Sequence, residues 1–272
     1  MQLEIEKRER SAAGERTPWR AVAIPTEHGG WGLTLEPVVL GLVIAFSWAG
    51  LAIGLAAFAA FLVRTPLKLA LVDRRRNRAL PRTRLATRIA AAELAVLGLL
   101  GGAALWTAGA GWLVPALIAV PLVAVELWFD IRSRSRRLVP ELAGAVGIAA
   151  VAASITLAGD ESWRLALAMW MIIAGRAVAS IPFVRTQITR MRRGPTPLLS
   201  TDLFQVGGVL VAFGAVAIDT RALAGAFAVT AVAIIQTIGV RREHIAPAKV
   251  IGMRQMAFGL AVVAATAVGV LA

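Results

Sequence analysis

The stretch IPFVRTQITRMRRG, residues 181–194, ends a long apolar run in Val-Arg-Thr and then becomes strongly basic. The same three residues close an earlier apolar run in FLVRTPLKLALVDRR, residues 61–75. An apolar run followed by arginines is typical of a transmembrane helix that ends at the cytoplasmic surface. The two stretches therefore predict an all-α, polytopic membrane protein, and their similarity favours a pseudo-repeat of its two halves around a shared cytoplasm-facing cavity.

The composition extends this prediction to the whole chain. Of the 272 residues 58% are hydrophobic, and none is cysteine, which excludes disulfides and thiolate metal sites. Apolar runs of the length that a bilayer core of roughly 30 Å requires recur to the last residue. The sequence predicts a helical bundle with about nine transmembrane helices, at 32–46, 50–72, 86–107, 112–129, 140–158, 163–184, 202–218, 221–239 and 250–272. Residues 47–50, Ser-Trp-Ala-Gly, are expected to form the turn of a tight first hairpin.

The N-terminal segment differs in character from the rest of the chain. Residues 1–20 mix acidic and basic side chains and contain no apolar region of the kind found in signal peptides. We expect residues 1–31 to form a cytoplasmic tail and capping segment, and residues 32–272 to form a single transmembrane helical domain.

The basic residues predict the orientation of the chain. They are concentrated in every second connection between the predicted spans, beginning with the N-terminal tail. Cytoplasmic loops of membrane proteins carry this excess, so we expect the N-terminus in the cytoplasm and the C-terminus outside. The net charge of +13 is explained by the same rule, and we expect membrane lipids rather than nucleic acid as partners.

Charged residues within the spans are the main candidates for function, because a charge inside a membrane is costly unless it is paired or faces water. Arg64 and Lys68 stand four residues apart and so share one helix face. Arg176 is expected to line a cavity and to face Glu93 or Glu126. The further ionisable candidates are Glu36, Asp130, Glu141 and Arg185, and Gln187 follows Arg176 by three turns. The alternative for Arg64, Lys68 and Arg185 is that they extend to the interface and have no ligand.

A second dense stretch, PTEHGGWGLTLEP at residues 25–37, places Glu27 and His28 before the first span and Glu36 just inside it. We assign these three residues as candidate acid–base or gating groups, since imidazole titrates near neutrality. The alternative for His28 is an interfacial histidine held by a backbone carbonyl. A histidine metal site is not expected, because the only other histidine is His244 in the last basic loop.

Several motifs resemble those of the YwiC-like family of bacterial integral membrane proteins. They are EHGGW at 27–31, VRTPLKLALVDRRR at 63–76, LPRTR at 80–84, FDIRSRSRRLVPELAG at 129–144 and IPFVRTQ at 181–187. The resemblance runs from about residue 20 to near the C-terminus. It implies a bacterial cell membrane location and no established activity.

A more distant resemblance is to the UbiA superfamily of intramembrane prenyltransferases. Those proteins are similar in having nine helices, a cytoplasmic N-terminus and two related halves. Their two Asp-rich motifs end the second and sixth helices and hold Mg²⁺ against a prenyl diphosphate; here those helices are expected to end in Val63-Arg64-Thr65 and Val184-Arg185-Thr186. The resemblance also marks Asp73 and Asn77 as ligand-binding candidates. Since the Asp pairs are missing, we expect no cofactor, and Mg²⁺ is only weakly supported.

These features lead to three functional hypotheses. The preferred one is a UbiA-like protein that binds an anionic lipid or isoprenoid (di)phosphate in a cytoplasm-facing cavity lined by Arg64, Lys68, Arg176 and Arg185, with or without prenyl transfer. The alternatives are a small-anion transporter or permease accessory, and a membrane scaffold without a ligand. The outer halves of the spans are almost free of polar residues, which favours the first. The sequence does not determine the oligomeric state.

Overall fold

A computed structural model describes residues 19–23, 25, 28–77, 80–132, 137–242 and 246–272. The described residues are helical apart from short connections. The helices are α1 Trp19–Ala23, α2 His28–Ile44, α3 Trp48–Arg75, α4 Pro81–Ala108, α5 Leu113–Ile131, α6 Leu138–Ala158, α7 Trp163–Arg193, α8 Leu199–Ile218, α9 Leu223–Arg242 and α10 Ala248–Leu271, with a 3₁₀ turn at Thr220–Ala222.

The predicted all-α, polytopic bundle is confirmed. Within the described part of the chain, the last eight α-helices are long and apolar enough to cross a membrane, and α2, with 17 residues, is shorter. These nine helices correspond one to one with the nine predicted spans. The start of α2 differs, because the helix begins at His28 rather than at residue 32. Glu36 consequently lies about two turns inside its helix instead of one.

The first hairpin forms, but its turn lies at residues 45–47, and residues 48–50, which were expected in the turn, begin α3 instead. Helix α2 ends at Ile44, and Ser47 caps the N-terminus of α3 by accepting a hydrogen bond from the Gly50 backbone N–H at 2.9 Å. Such a cap satisfies one of the free N–H groups at a helix start. The turn therefore separates an apolar run that would otherwise read as one overlong helix.

The two Val-Arg-Thr triplets do not end their helices, contrary to the expectation from the UbiA resemblance. Helix α3 continues past Thr65 to Arg75, and α7 continues past Thr186 to Arg193. Leu, Lys and Ala follow the first triplet, and Gln, Met and Arg follow the second. All of these residues favour helix. Both arginines therefore lie within helices rather than in loops.

Successive long helices run in opposite directions, so their connections alternate between two ends of the bundle. We call the end where α3, α5, α7 and α9 terminate the basic end, because their last turns and the adjoining connections carry most of the arginines. The short helix α1 lies at this end, where Val22 packs with Ala70 of α3 and Ala86 of α4. The large exposed side chains Trp48, Trp106 and Trp163 lie at the opposite end, as expected for an interfacial aromatic belt.

Helices α2, α6 and α7 form the centre of the bundle, and α4 and α5 lie at its periphery. Leu40 of α2 packs with Ala149 of α6 and Met169 of α7 in a fully buried core. Close approach depends on glycine: a Cβ at Gly175 of α7 would meet the Gly208 carbonyl oxygen of α8 at 2.6 Å. Small residues at helix contacts are the usual means of packing helices in lipid.

Candidate functional site

The arginine of the first Val-Arg-Thr triplet lies on two carboxylates of α5. Arg64 Nη1 is 2.9 Å from Glu126 Oε1, and Arg64 Nε donates to Asp130 Oδ2 at 2.9 Å. Lys68, one turn further along α3, donates from Nζ to Asp130 Oδ1 at 3.3 Å. The shared helix face predicted for Arg64 and Lys68 is thus confirmed, and it faces α5.

The arginine of the second triplet reaches the same hairpin from the other side. Arg185 Nη1 of α7 is 2.8 Å from Oε1 of Glu141, in the first turn of α6. One turn further along α6, Gly144 lies directly against the Glu126 carboxylate. The α5–α6 hairpin therefore carries carboxylates to which cations come from α3 and α7. We call these six residues the basic-end cluster: Arg64, Lys68, Glu126, Asp130, Glu141 and Arg185.

The basic-end cluster is anchored in the protein and open at its edge. Asp130 has no exposed surface, whereas the side chains of Arg64, Lys68 and Arg185 are 29%, 31% and 36% exposed. A buried carboxylate needs bonded partners to remain charged, and here it receives two cations. The three acids and three bases have no net charge, and the cations keep part of their surface available.

Asp73 and Asn77, the two ligand candidates from the UbiA resemblance, have local structural roles. Asp73 is buried and accepts hydrogen bonds from Arg82 Nη2 at 3.1 Å and Thr83 Oγ1 at 2.7 Å, which join α3 to the start of α4. Asn77 adopts a φ of +53° directly after α3. Asparagine tolerates this left-handed conformation better than most residues, so its type is explained by the turn.

Arg176 lies apart from the basic-end cluster, and its predicted pairing with Glu93 or Glu126 is wrong. Its Nη2 is 3.1 Å from Glu36 Oε1 of α2 and donates to the Gln255 backbone carbonyl of α10 at 2.5 Å. Arg176 and Glu36 are 4% and 2% exposed. The buried pair is therefore enclosed by α2, α7 and α10, and the four arginine and lysine candidates do not line one cavity.

Polar residues that the sequence reasoning missed lie close to this pair. Gln205 Nε2 of α8 donates to Gln236 Oε1 of α9 at 2.8 Å, and Gln236 Nε2 donates to Gln255 Oε1 of α10 at 3.2 Å. Gln187 of α7, which the sequence analysis did name, is also buried. Uncharged amides barely interrupt an apolar run, so the signal that could have revealed them is one glutamine in each of four successive helices.

Two further predictions concern Glu27 and His28. Glu27 and the side chain of His28 lie outside the described residues, and only the backbone of His28, which begins α2, is described. Their assignment as acid–base or gating groups stays a prediction.

The Mg²⁺ that the UbiA resemblance implies does not fit the residues found here. Among the described ranges, no three histidine, aspartate or glutamate side chains lie close enough together to hold a metal ion. Glu126, Asp130 and Asp73 are bonded to cations instead. Strong Mg²⁺ and Ca²⁺ sites need clustered oxygen ligands, so no step is assigned to a metal.

Comparison with known proteins identifies one similarity. No curated protein and no solved structure matches the chain. A family model described as YwiC-like protein matches residues 24–157, whereas we expected the resemblance to continue to near the C-terminus. The match extends from just before α2 to the end of α6 and includes Glu36, the first Val-Arg-Thr triplet and the α5–α6 hairpin. The first half of this multi-pass membrane protein is therefore similar to the YwiC-like proteins.

Proposed function

We propose that the protein binds the phosphate group of an anionic lipid or isoprenoid at its basic end. The observation that carries the proposal is the convergence of Arg64, Lys68 and Arg185 on the α5–α6 hairpin, each still about a third exposed. Guanidinium groups recognise phosphate through paired hydrogen bonds. By the charge distribution of the loops, this end faces the cytoplasm.

The partly exposed carboxylates of the cluster are partners that a phosphate would replace at the arginines. Glu126 and Glu141 are partly exposed and each contacts an arginine, so an incoming phosphate would compete with them for the guanidinium N–H groups. Asp130 is fully buried and would keep Arg64 and Lys68 in place. Fixed donors lower the cost of ordering the site when a ligand binds.

Exposed arginines around the cluster would balance the added negative charge. Arg74, Arg75 and Arg76 follow at the end of α3, and Arg75 Nη1 donates to the Ile131 carbonyl at the end of α5. Basic residues at this level of a membrane also attract anionic headgroups directly. An anionic lipid is therefore favoured over a neutral one.

Prenyl transfer, which the UbiA resemblance implies, would use the same cations. The bond between the prenyl carbon and the diphosphate oxygen would break with its electron pair leaving on the diphosphate, next to Arg64 and Lys68. An acceptor would form the new bond and lose a proton. Release of inorganic diphosphate from a prenyl diphosphate, in the presence of bacterial lipid extract, tests this extension separately from binding.

The test of binding is native mass spectrometry of the protein purified in mild detergent. The variant is Arg64→Gln combined with Glu126→Gln, which removes one positive and one negative charge together. We expect an anionic phospholipid or isoprenyl phosphate on the wild type and its loss from the double variant. Arg221→Gln combined with Asp219→Asn is the matched control, since these two residues also form an ion pair at 2.9 Å but lie at the opposite end of the bundle.

Two outcomes would reject the proposal. One is a wild-type protein without any bound anionic lipid, and the other is equal occupancy in the wild type and in a folded double variant. Either result would direct the next experiment to anion flux in liposomes, which tests the transporter hypothesis.

A further inference from the structure

Half of the buried polar atoms without a hydrogen-bond partner in the described residues lie in one part of the bundle. They are Glu36 Oε2, Arg176 Nε, Ser180 Oγ, Gln187 Oε1 and Gln205 Oε1. All five side chains are more than nine-tenths buried. Leaving such atoms without a partner is costly, and buried water is the usual partner of polar groups that the protein does not satisfy.

Four of these five side chains belong to α7 and α8, and they extend from the ion pair toward the basic end. Arg176, Ser180 and Gln187 are spaced at four and seven residues along α7, so they share one face of that helix. Gln187, Gln205, Gln236 and Gln255 each lie about six residues inside the basic end of their helices, or about 9 Å along the axis. The glutamines thus form a layer between the basic end and the Glu36–Arg176 pair.

An apolar cluster lies on the other side of the ion pair. Toward the opposite end of the bundle, α7 presents Met169 and Ile172, and Val229 of α9 and Val262 of α10 pack into the same fully buried apolar cluster. Water has few partners in such a cluster. The polar groups named above therefore lead from the basic end to the Glu36–Arg176 pair. The buried Thr266, further along α10, donates its hydroxyl hydrogen bond to the Val262 carbonyl of its own helix.

Glu36 is well placed to gain and lose a proton. Arg176 is the charged group that α7 places against it, and α10 contributes the Gln255 carbonyl and Gly259. The faces of α6 and α3 that pack on α2 provide Ile155 and Phe61. One carboxylate oxygen is held by the guanidinium, and the other, without a partner in the described structure, remains for a water or a proton.

We propose that α2, α7, α8, α9 and α10 enclose a hydrated polar track through which Glu36 exchanges a proton with the basic side of the membrane. The track is separate from the phosphate site of the basic-end cluster and does not depend on it. Its four amides and one neutral ion pair carry no net charge, which suits water and a proton better than a phosphate anion.

The test is infrared difference spectroscopy of the reconstituted protein during a pH titration, with glutamate labelled by ¹³C. We expect a pH-dependent carboxylic acid band that is lost in Glu36→Gln and retained in Glu93→Gln, the same change at a half-buried carboxyl of α4. Gln187→Leu should slow the deuterium exchange of this band, whereas Thr230→Val, at a threonine bonded within α9, should not. Absence of a pH-dependent glutamate band in the wild type, or its persistence in Glu36→Gln, would overturn the proposal, and the wild-type result stands even if that variant does not fold.

The side of access can be tested directly, because the chain has no cysteine. Ser180→Cys and Ile172→Cys each introduce a single buried thiol on α7. The first lies between Arg176 and the basic end, and the second lies between Arg176 and the opposite end. We expect Ag⁺ added to the basic side of sealed vesicles to react with the thiol of Ser180→Cys and not with that of Ile172→Cys. Equal reaction of the two variants, or reaction of Ser180→Cys only from the opposite side, would contradict a track open at the basic end.

Discussion

Glu36 of α2 and Arg176 of α7 form a buried ion pair, with Oε1 and Nη2 3.1 Å apart. Arg176 also bonds the backbone of α10 through the Gln255 carbonyl. The pair thus joins the first membrane helix to two helices of the second half of the chain. It lies outside the basic-end cluster, so the two groups of charges can be changed independently.

Removing one partner of this pair should destabilise the protein strongly. Breaking a buried ion pair typically costs about 3–5 kcal/mol, because the remaining charge has no counterion. A carboxyl can become neutral by binding a proton, whereas a guanidinium stays charged. We therefore expect Glu36→Gln to lower the thermal unfolding temperature in detergent more than Arg176→Gln does.

The double variant Glu36→Gln/Arg176→Gln provides the control for this prediction. It leaves no buried charge, so its loss of stability should be smaller than the sum of the two single losses. Additive losses, or a larger loss for Arg176→Gln than for Glu36→Gln, would show that the pair is not a coupled, desolvated unit.

Two glycines of α10 should respond in opposite ways to the same substitution. A Cβ at Gly259 would overlap the Glu36 carboxylate, whereas a Cβ at Gly252 would meet no atom within 4 Å. Overpacking of this kind costs about 1–3 kcal/mol, and alanine is a better helix former than glycine. We expect Gly259→Ala to lower the unfolding temperature and Gly252→Ala to maintain or raise it; equal effects would contradict the close contact of α10 with Glu36.

Within the basic-end cluster, the buried acid should matter most for stability. Asp130→Asn removes the charge that holds Arg64 and Lys68 and leaves both cations with weaker partners. Glu141→Gln breaks a pair in which both side chains are about a third exposed, and such pairs contribute about 0–1 kcal/mol. Thermal unfolding should show a clearly larger loss for Asp130→Asn, and similar losses would mean that Asp130 is not the anchor.

At the opposite end of the bundle, one ion pair should make stability depend on pH. The hydrogen bond from the Arg221 guanidinium holds the pKa of Asp219 below its ordinary value of 3.8. Because the folded-state pKa is the lower one, the stabilisation is present above the unfolded value and is lost as the pH falls through the folded value. Wild type should unfold at a slightly higher temperature than Arg221→Gln at neutral pH, and this difference should disappear in acid.

The helices were predictable because the length of an apolar run reports directly whether it can span a bilayer. The pairing of charged side chains inside the bundle was not predictable, because it depends on how each helix is rotated and on which helices are neighbours. Placing the first helix start at residue 32 put Glu36 only one turn inside the span, too shallow to reach Arg176. The true start at His28 moves Glu36 to the depth at which the two groups meet.

The basic-end cluster was predictable in part. Four-residue spacing placed Arg64 and Lys68 on one face, and Glu126, Asp130 and Glu141 were recognisable as charges within spans. The packing of α3, α5, α6 and α7 brings all three acids together on one hairpin and brings both Val-Arg-Thr arginines to it. A match of three residues between the two triplets can arise by chance, so it did not predict that both arginines contact the same hairpin.

The shortness of α2 has a consequence for the surrounding lipid. Its 17 residues span about 25 Å, less than the roughly 30 Å of an average hydrocarbon core. The hairpin after it carries the exposed aromatic side chains Phe46 and Trp48, which anchor to the interface. The adjacent leaflet must therefore thin to meet them, and this hydrophobic mismatch should make bilayers of shorter acyl chains the more favourable host.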